Sequence, residues 1–136
     1  MTDDTVKDKL TVVIAHQSSE PIYEQIERQI RQAIIAGILG EGDPLPSLRQ
    51  LAQELRISVV TTNRAYEDLQ KEGFIIIAAG RGAFVARVSK ESLKDKKMKM
   101  VEEKLIEAID MAHAYGISRI ELLKMIDLLF PRQKHG

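Results

Sequence analysis

The chain has 136 residues, of which 44% are hydrophobic and 29% charged, so it fits one compact domain or one domain with a short appendage. It contains no cysteine, which excludes disulfide frameworks, thiol nucleophiles and cysteine zinc sites. Its 20 basic and 20 acidic residues cancel, and this neutral balance argues mildly against a nucleic-acid partner.

Metals, membranes and export leave no clear pattern in the sequence. His16, His113 and His135 are too far apart for a local metal motif, so we expect no metal and no cofactor. No apolar stretch approaches the ~20 residues of a membrane helix. The N-terminus carries Asp3 and Asp4 where a signal peptide carries positive charge. We therefore expect a cytoplasmic protein with no membrane partner.

The first predicted elements are a strand and a helix. Leu10 to Ala15 is a short β-branched run, which predicts a strand within an N-terminal extension over residues 1–18. Pro21 suits a first helical position because its missing N–H would be unpaired there. Isoleucines then recur at helical spacing until Gly37, which predicts the first helix.

Two closely spaced helices are predicted next, after a glycine- and proline-rich loop over residues 40–46. Ser47 and Gln50 have the spacing of a capping box, which predicts a helix to about residue 55. After a connector of two residues, Ser58 is a good N-cap for a third helix that Gly73 ends.

A β-hairpin follows. Phe74 to Ala79 and Ala83 to Val88 are apolar, β-prone runs on either side of a three-residue turn, Gly80-Arg81-Gly82. Two helices on either side of a tight turn, followed at once by a glycine-tipped hairpin, are typical of a winged helix-turn-helix.

Two further helices are predicted after the hairpin. Ser89 or Ser92 can cap a long helix that Gly116 ends, and Ser118 with Glu121 forms a second capping box. The last helix is apolar around most of its circumference, so it needs burial on more than one side. We expect a homodimer, with a membrane-surface helix or a self-contained core as alternatives. The predicted dimerisation residues are Val101, Leu105, Ile109, Ile120, Leu123, Ile126 and Phe130.

The predicted fold class is therefore mainly α (α+β). The winged helix-turn-helix domain covers residues 19–88, and a two-helix dimerisation tail covers residues 89–136.

Charge in the winged-helix region favours a DNA-binding function. Residues 44–53, 55–66 and 73–90 contain basic side chains but no Asp or Glu. Asn63 on the third helix can pair with an adenine edge, and its valines can contact thymine methyl groups. The residues predicted on this basis to contact double-stranded DNA are Arg49, Val59, Val60, Thr61, Asn63, Arg64 and Arg81.

Two other functions are weighed against DNA binding. A winged helix can be a protein-interaction module that binds no DNA, and the neutral charge permits this alternative. An enzyme is not indicated, because Asp43, Glu67, Asp68 and Glu72 lack a spacing suited to acid–base catalysis. The turn at residues 80–82 also lacks the lysine and the helix of a phosphate-binding loop.

Several motifs, in the same order, resemble the GntR family of bacterial transcription regulators. They are Leu45–Ala52 (LPSLRQLA), Ile57-Ser58 with Thr61, Arg64–Leu69 (RAYEDL) continuing to Glu72-Gly73, and Gly80–Val85 (GRGAFV). The run Pro21–Ile26 (PIYEQI) and the Arg-Ala-Tyr run resemble its YtrA subfamily. The resemblance covers roughly residues 19–88.

The resemblance implies a cytoplasmic, dimeric regulator, usually a repressor, whose operators are inverted repeats and often control transporter operons. A small-molecule effector is left open. By position, the resemblance implies DNA contacts from Arg49, Ser58, Val59, Val60, Thr61, Asn63, Arg81 and Gly82. Many relatives carry arginine where this chain has Val59 and Asn63, so their base contacts do not carry over. Arg56 stands where the family often has glycine, and a left-handed backbone there would cost roughly 1 kcal/mol.

Overall fold

The structure is a computed structural model that describes residues 10–131. Its elements in chain order are α1 (Ile22–Ile35), β1 (Pro44–Leu45), α2 (Leu48–Leu55), α3 (Val59–Lys71), β2 (Ile75–Ala78), β3 (Gly82–Val85), α4 (Lys90–Ala114) and α5 (Arg119–Leu129). The chain divides between Leu93 and Lys94 into two compact units. The predicted class, mainly α with a small sheet in a winged helix-turn-helix, is confirmed.

The prediction of a strand at Leu10 to Ala15 is wrong. These residues form no strand, because the side chains of two glutamines on α1 take up their backbone groups. Gln29 accepts from the N–H of Val13 (2.9 Å) and donates to its carbonyl (2.7 Å), and Gln25 does the same with Ala15 (2.8 and 3.0 Å). These side-chain amides satisfy the backbone N–H and C=O groups of Val13 and Ala15, as a neighbouring strand would. Residues 1–9 of the predicted extension lie outside the described residues.

Helix α1 forms where the isoleucine spacing predicts it. Ile26, Ile30 and Ile34 are buried and supply much of the core of the first unit. Pro21 is the N-cap, one position before the predicted place. Gly37 follows the helix with φ +80°, a conformation that glycine adopts without a steric penalty.

The sheet has three strands in the order β1-β3-β2, all antiparallel. Its first strand lies in the segment predicted to be a loop, where Pro44 and Leu45 pair with Phe84 and Ala83. Two-residue strands carry too little periodicity for the sequence to reveal them. In the hairpin, Gly82 belongs to β3, opposite Ala78, rather than to the turn.

Helices α2 and α3 begin at the predicted caps. Ser47 accepts from the N–H of Gln50, but the Gln50 side chain donates to Glu54, so only one half of the predicted capping box forms. Between the helices Arg56 has φ 57° and ψ 48°, the left-handed conformation that glycine adopts most readily. It is the one non-glycine with positive φ within residues 10–131.

The orientation of α3 is fixed by its buried side. Ala65, Tyr66 and Leu69 are buried as predicted. The Tyr66 hydroxyl donates to the carbonyl of Pro46 (2.7 Å), and the Thr62 hydroxyl donates to that of Leu48 (3.1 Å). Burial raises the pKa of Tyr66, so its phenol keeps the proton that this bond requires. Both bonds tie α3 to the start of α2 and leave its opposite face outward.

The second unit consists of most of α4 and all of α5. Helix α4 begins at Lys90. The side chain of Ser89, the residue before it, accepts a hydrogen bond from the N–H of Ser92. Ser118 and Glu121 form the complete predicted capping box at the start of α5. No helix within residues 10–131 is long and apolar enough to cross a membrane.

Candidate nucleic-acid interface

Helix α3 presents an apolar surface to solvent at its N-terminal end. The Ser58 side chain accepts a hydrogen bond from the N–H of Val60 (3.0 Å) and fixes the first turn. Val59 is 43% exposed and Val60 is 76% exposed. Exposed β-branched side chains lower helix propensity and bury nothing in the free chain. A surface that carries them is suited to contact with a partner.

Asn63 lies on the same exposed side of α3, one turn after Val60. Its side-chain Nδ2 donates to Oε1 of Glu67 at 2.9 Å, an i,i+4 contact along the helix. Glu67 is exposed, whereas Asn63 is half-buried. In this contact the amide turns Nδ2 toward Glu67 and Oδ1 away from it.

Arg64, which the sequence predicts as a DNA contact, packs against α1. Its guanidinium carbon lies 3.7 Å from the centre of the Tyr23 ring, a cation–π distance, and its Nε lies 4.0 Å from Asp68. The side chain remains more than half exposed. Arg64 thus occupies the edge of the α3 surface, stacked on a ring from another helix.

A cluster of charged side chains joins α1 to the side of α3 away from the valines. Arg31 on α1 pairs with Glu72 at 2.8 Å and lies 3.6 Å from Glu27. Glu27 is buried, and burial together with a hydrogen bond to Asp68 raises its pKa to about 8. At neutral pH this carboxyl group therefore holds a proton. The charge of Arg31 opposes the shift without cancelling it.

The two remaining predicted basic contacts lie on other elements of the first unit. Arg49 is exposed in the first turn of α2. Arg81 is exposed in the hairpin turn, where its N–H donates to the carbonyl of Ala78, and Gly82 follows with φ +99°. The candidate residues thus come from α2, α3 and the hairpin, the three parts that a winged helix brings to a duplex.

Sequence reasoning missed Glu67 as a partner of Asn63, and Tyr23 and Asp68 as partners of Arg64. The i,i+4 spacing of both carboxylates from their partners was available as a signal. The contact with Tyr23 had no local signal, because it depends on how α1 packs against α3. In the described part of the chain, no group of three or more His, Asp or Glu side chains could hold a metal ion.

A second candidate surface lies within the tail. Helix α5 buries none of its residues, and Leu128 is 86% exposed and Phe130 67% exposed. The two tail helices border a largely apolar cavity of about 250 Å³. Its lining includes the predicted dimerisation residues Leu105, Ile109, Leu123 and Ile126. The other three, Val101, Ile120 and Phe130, are exposed.

Comparison with known proteins gives a consistent family. The sequence model of the family described as "Bacterial regulatory proteins, gntR family" matches residues 22–85, which span α1 to β3. The HTH-type transcriptional repressor YtrA of Bacillus subtilis is 37% identical over 125 residues, which cover 92% of this chain and 96% of that protein.

Two solved structures have a similar fold. A GntR family transcriptional regulator from Listeria monocytogenes has a TM-score of 0.71 at 26% identity, covering 83% of this chain and 98% of that one. The DNA-binding domain of AraR, solved in complex with its operator ORX1, has a TM-score of 0.50 at 29% identity. That match covers 57% of this chain and 96% of the AraR chain.

Proposed function

The chain belongs to the GntR family of bacterial regulatory proteins, and we propose that it is a dimeric repressor that binds an inverted-repeat operator through α3. Family membership makes it a transcription regulator, with YtrA of Bacillus subtilis as a similar repressor over nearly the whole chain. The proposal adds the mode of DNA binding, the dimer and the residues.

The exposed surface of α3 carries the proposal. The buried side of α3 packs against the first unit and leaves the opposite face exposed. This face includes Val59, Val60 and Asn63, which offer methyl and amide groups rather than charges. In a major groove these groups can contact thymine methyls and base edges. The match to AraR bound to an operator supports this docking of the domain.

Basic residues on neighbouring elements would hold the domain on the duplex. Arg49 at the start of α2 and Arg81 with Gly82 at the hairpin tip are exposed and suited to phosphate or minor-groove contacts. Ser58 and Thr61, at the start of α3, can reach the DNA backbone. Arg64 can also reach it from its position on the Tyr23 ring. Because the net charge is zero, affinity must come from this local arrangement.

The tail would form the dimer. The exposed apolar side chains of α4 and α5, together with the cavity they border, exceed what a two-helix unit can cover by itself. A second copy of the same tail offers a matching surface, and two-fold symmetry would place two α3 helices for an inverted repeat. We include in the same proposal that the chain regulates a transporter operon, acts in the cytoplasm and is not an enzyme, as the family resemblance implies.

Selection of bound duplexes from a random pool by the full chain tests the proposal. We expect an enriched inverted repeat with A·T-rich half-sites about one helical turn apart, or a multiple of it. Affinity should fall steeply with salt. A chain that enriches no sequence and binds no duplex at low salt would instead be a protein-interaction module.

A further inference from the structure

The hydrogen bond between Glu67 and Asn63 affects which bases Asn63 can read. We propose that Glu67 is a positioning residue that holds the Asn63 amide with its oxygen free, so that each half-site must offer Asn63 an exocyclic amino group. Adenine N6 and cytosine N4 both supply this group in the major groove. The inference rests on the proposed DNA-binding function and names the base chemistry that the α3 surface takes.

The orientation of the amide follows from the chemistry of its partner. An ionised carboxylate only accepts hydrogen bonds, so the 2.9 Å contact with Glu67 must come from Nδ2 of Asn63. Because the acceptor is charged, the bond is stronger than one between neutral groups. Turning the amide over would place Oδ1 against the carboxylate and lose this bond.

An asparagine without such a partner can present either end of its amide. With Nδ2 outward it would suit the acceptors of guanine or thymine, and with Oδ1 outward it suits the amino groups of adenine or cytosine. The bond to Glu67 occupies one of the two Nδ2 hydrogens and leaves Oδ1 unpaired with it, so this orientation favours the second option. The Glu67 carboxylate itself adds a second acceptor beside Asn63, which further disfavours bases that show only acceptors there.

The valines beside Asn63 agree with this assignment. Val60 is largely exposed one turn before Asn63, and a methyl surface there suits thymine. An A·T pair shows its adenine amino group and its thymine methyl in the same groove. Adenine is therefore favoured over cytosine, although both satisfy the proposal.

The experiment uses the full chain and the duplex that it selects from a random pool. Asn63→Ala first identifies the base pair at which discrimination relaxes. The amino group at that pair is then deleted by placing purine for adenine, or 2-pyrimidinone for cytosine. We expect the wild-type chain to lose about tenfold or more in affinity on this deletion, and Asn63→Ala to lose little.

Two variants of Glu67 test the positioning role. Glu67→Gln keeps the size of the side chain but can donate to Oδ1 of Asn63, and Glu67→Ala removes the partner. Both variants should bind most duplexes more tightly because a negative charge is gone, so the readout is the ratio between amino-bearing and carbonyl-bearing bases. That ratio should fall toward unity for both, and stay at the wild-type value for Glu41→Gln, which changes an exposed carboxylate before β1.

The possible outcomes separate the role of Glu67 from DNA binding itself. Guanine or thymine as the base read by Asn63, or a base ratio unchanged in both Glu67 variants, would overturn the positioning role and leave the DNA-binding function standing. Failure of the full chain to enrich any duplex would overturn the proposed function, and the inference with it.

Discussion

At the scale of single residues, two positions run against ordinary preferences. Arg56 has a left-handed backbone, which costs a side chain with a Cβ about 1 to 2 kcal/mol. Glu27 is a carboxyl group buried between two helices. Arg56 lies in the turn between α2 and α3, and Glu27 lies on α1, so their costs bear on the stability of the DNA-binding unit.

Replacing Arg56 by glycine should stabilise the protein. Arg56→Gly relieves the left-handed strain but adds freedom to the unfolded chain, so we expect a net gain of about 1 kcal/mol in the free energy of unfolding. Arg56→Ala keeps the Cβ and serves as the control. Urea unfolding at constant temperature measures both, and equal stability of the two variants would contradict the strain argument.

Glu27 should make the protein less stable as pH rises. Its pKa is raised to about 8 in the folded state, above the ordinary 4.5. Between these values the unfolded chain loses a proton that the folded chain keeps, so stability is greatest below pH 4.5 as far as this group is concerned and falls until pH 8.

Glu27→Gln should remove this dependence. Glutamine resembles the protonated acid and can still donate to Asp68, so the variant should gain stability over the wild type as pH rises from 5 to 8. Denaturant unfolding at several pH values measures the difference. Glu24→Gln, on the exposed side of α1, is the control, and parallel curves for wild type and Glu27→Gln would rule out the shift.

At the scale of elements, the sequence predicted the helices and the hairpin but not every strand. Capping serines and apolar periodicity are local signals, so α2, α3 and α5 begin where Ser47, Ser58 and Ser118 place them. The β-branched run at Leu10 to Ala15 carries the same local signal as a strand. Whether it pairs depends on a neighbour, and here the neighbour is α1 with its two glutamines.

In the candidate site, too, the sequence revealed local features but not contacts between elements. The exposed valines, Asn63, Arg49 and Arg81 could be named from helical spacing and turn chemistry. The stack of Arg64 on Tyr23 could not, because it joins residues on two helices whose packing only the folded chain sets. The sequence therefore identified which side chains face outward better than it identified what holds them.

Arg49 and Arg81 should contribute sequence-independent affinity from α2 and the hairpin. Arg49→Ala and Arg81→Ala should each weaken binding to most duplexes and reduce the slope of log K against log salt by about one unit. Lys104→Ala, on the tail helix, is the control for loss of one positive charge. Unchanged slopes for both arginine variants would place them outside the interface.

At the scale of the whole molecule, we propose that DNA binding and dimerisation depend on different units of the chain. The first unit carries α3, and the tail carries the exposed apolar surface. An inverted-repeat operator needs two copies of α3, so the affinity of the DNA-binding unit should depend on residues far along the chain.

A charge in the tail surface should therefore weaken DNA binding without touching α3. Leu123→Asp places a carboxylate in the proposed dimer interface, where burial without a partner is costly. We expect a monomer by sedimentation and a large loss of operator affinity. Ile38→Asp, at an exposed apolar position in the first unit, should stay dimeric. If the Leu123→Asp variant remained a dimer with full affinity for DNA, the tail would not form the dimer interface through this residue.

Base reading by Asn63 on α3 is tested by comparing two affinities of one variant. Asn63→Ala is titrated against the selected operator and against random duplex at the same salt concentration. We expect a loss of about 1 to 3 kcal/mol on the operator and almost none on random duplex. Equal losses on both duplexes would contradict the claim, because Asn63 would then act on the backbone or on stability and not on a base.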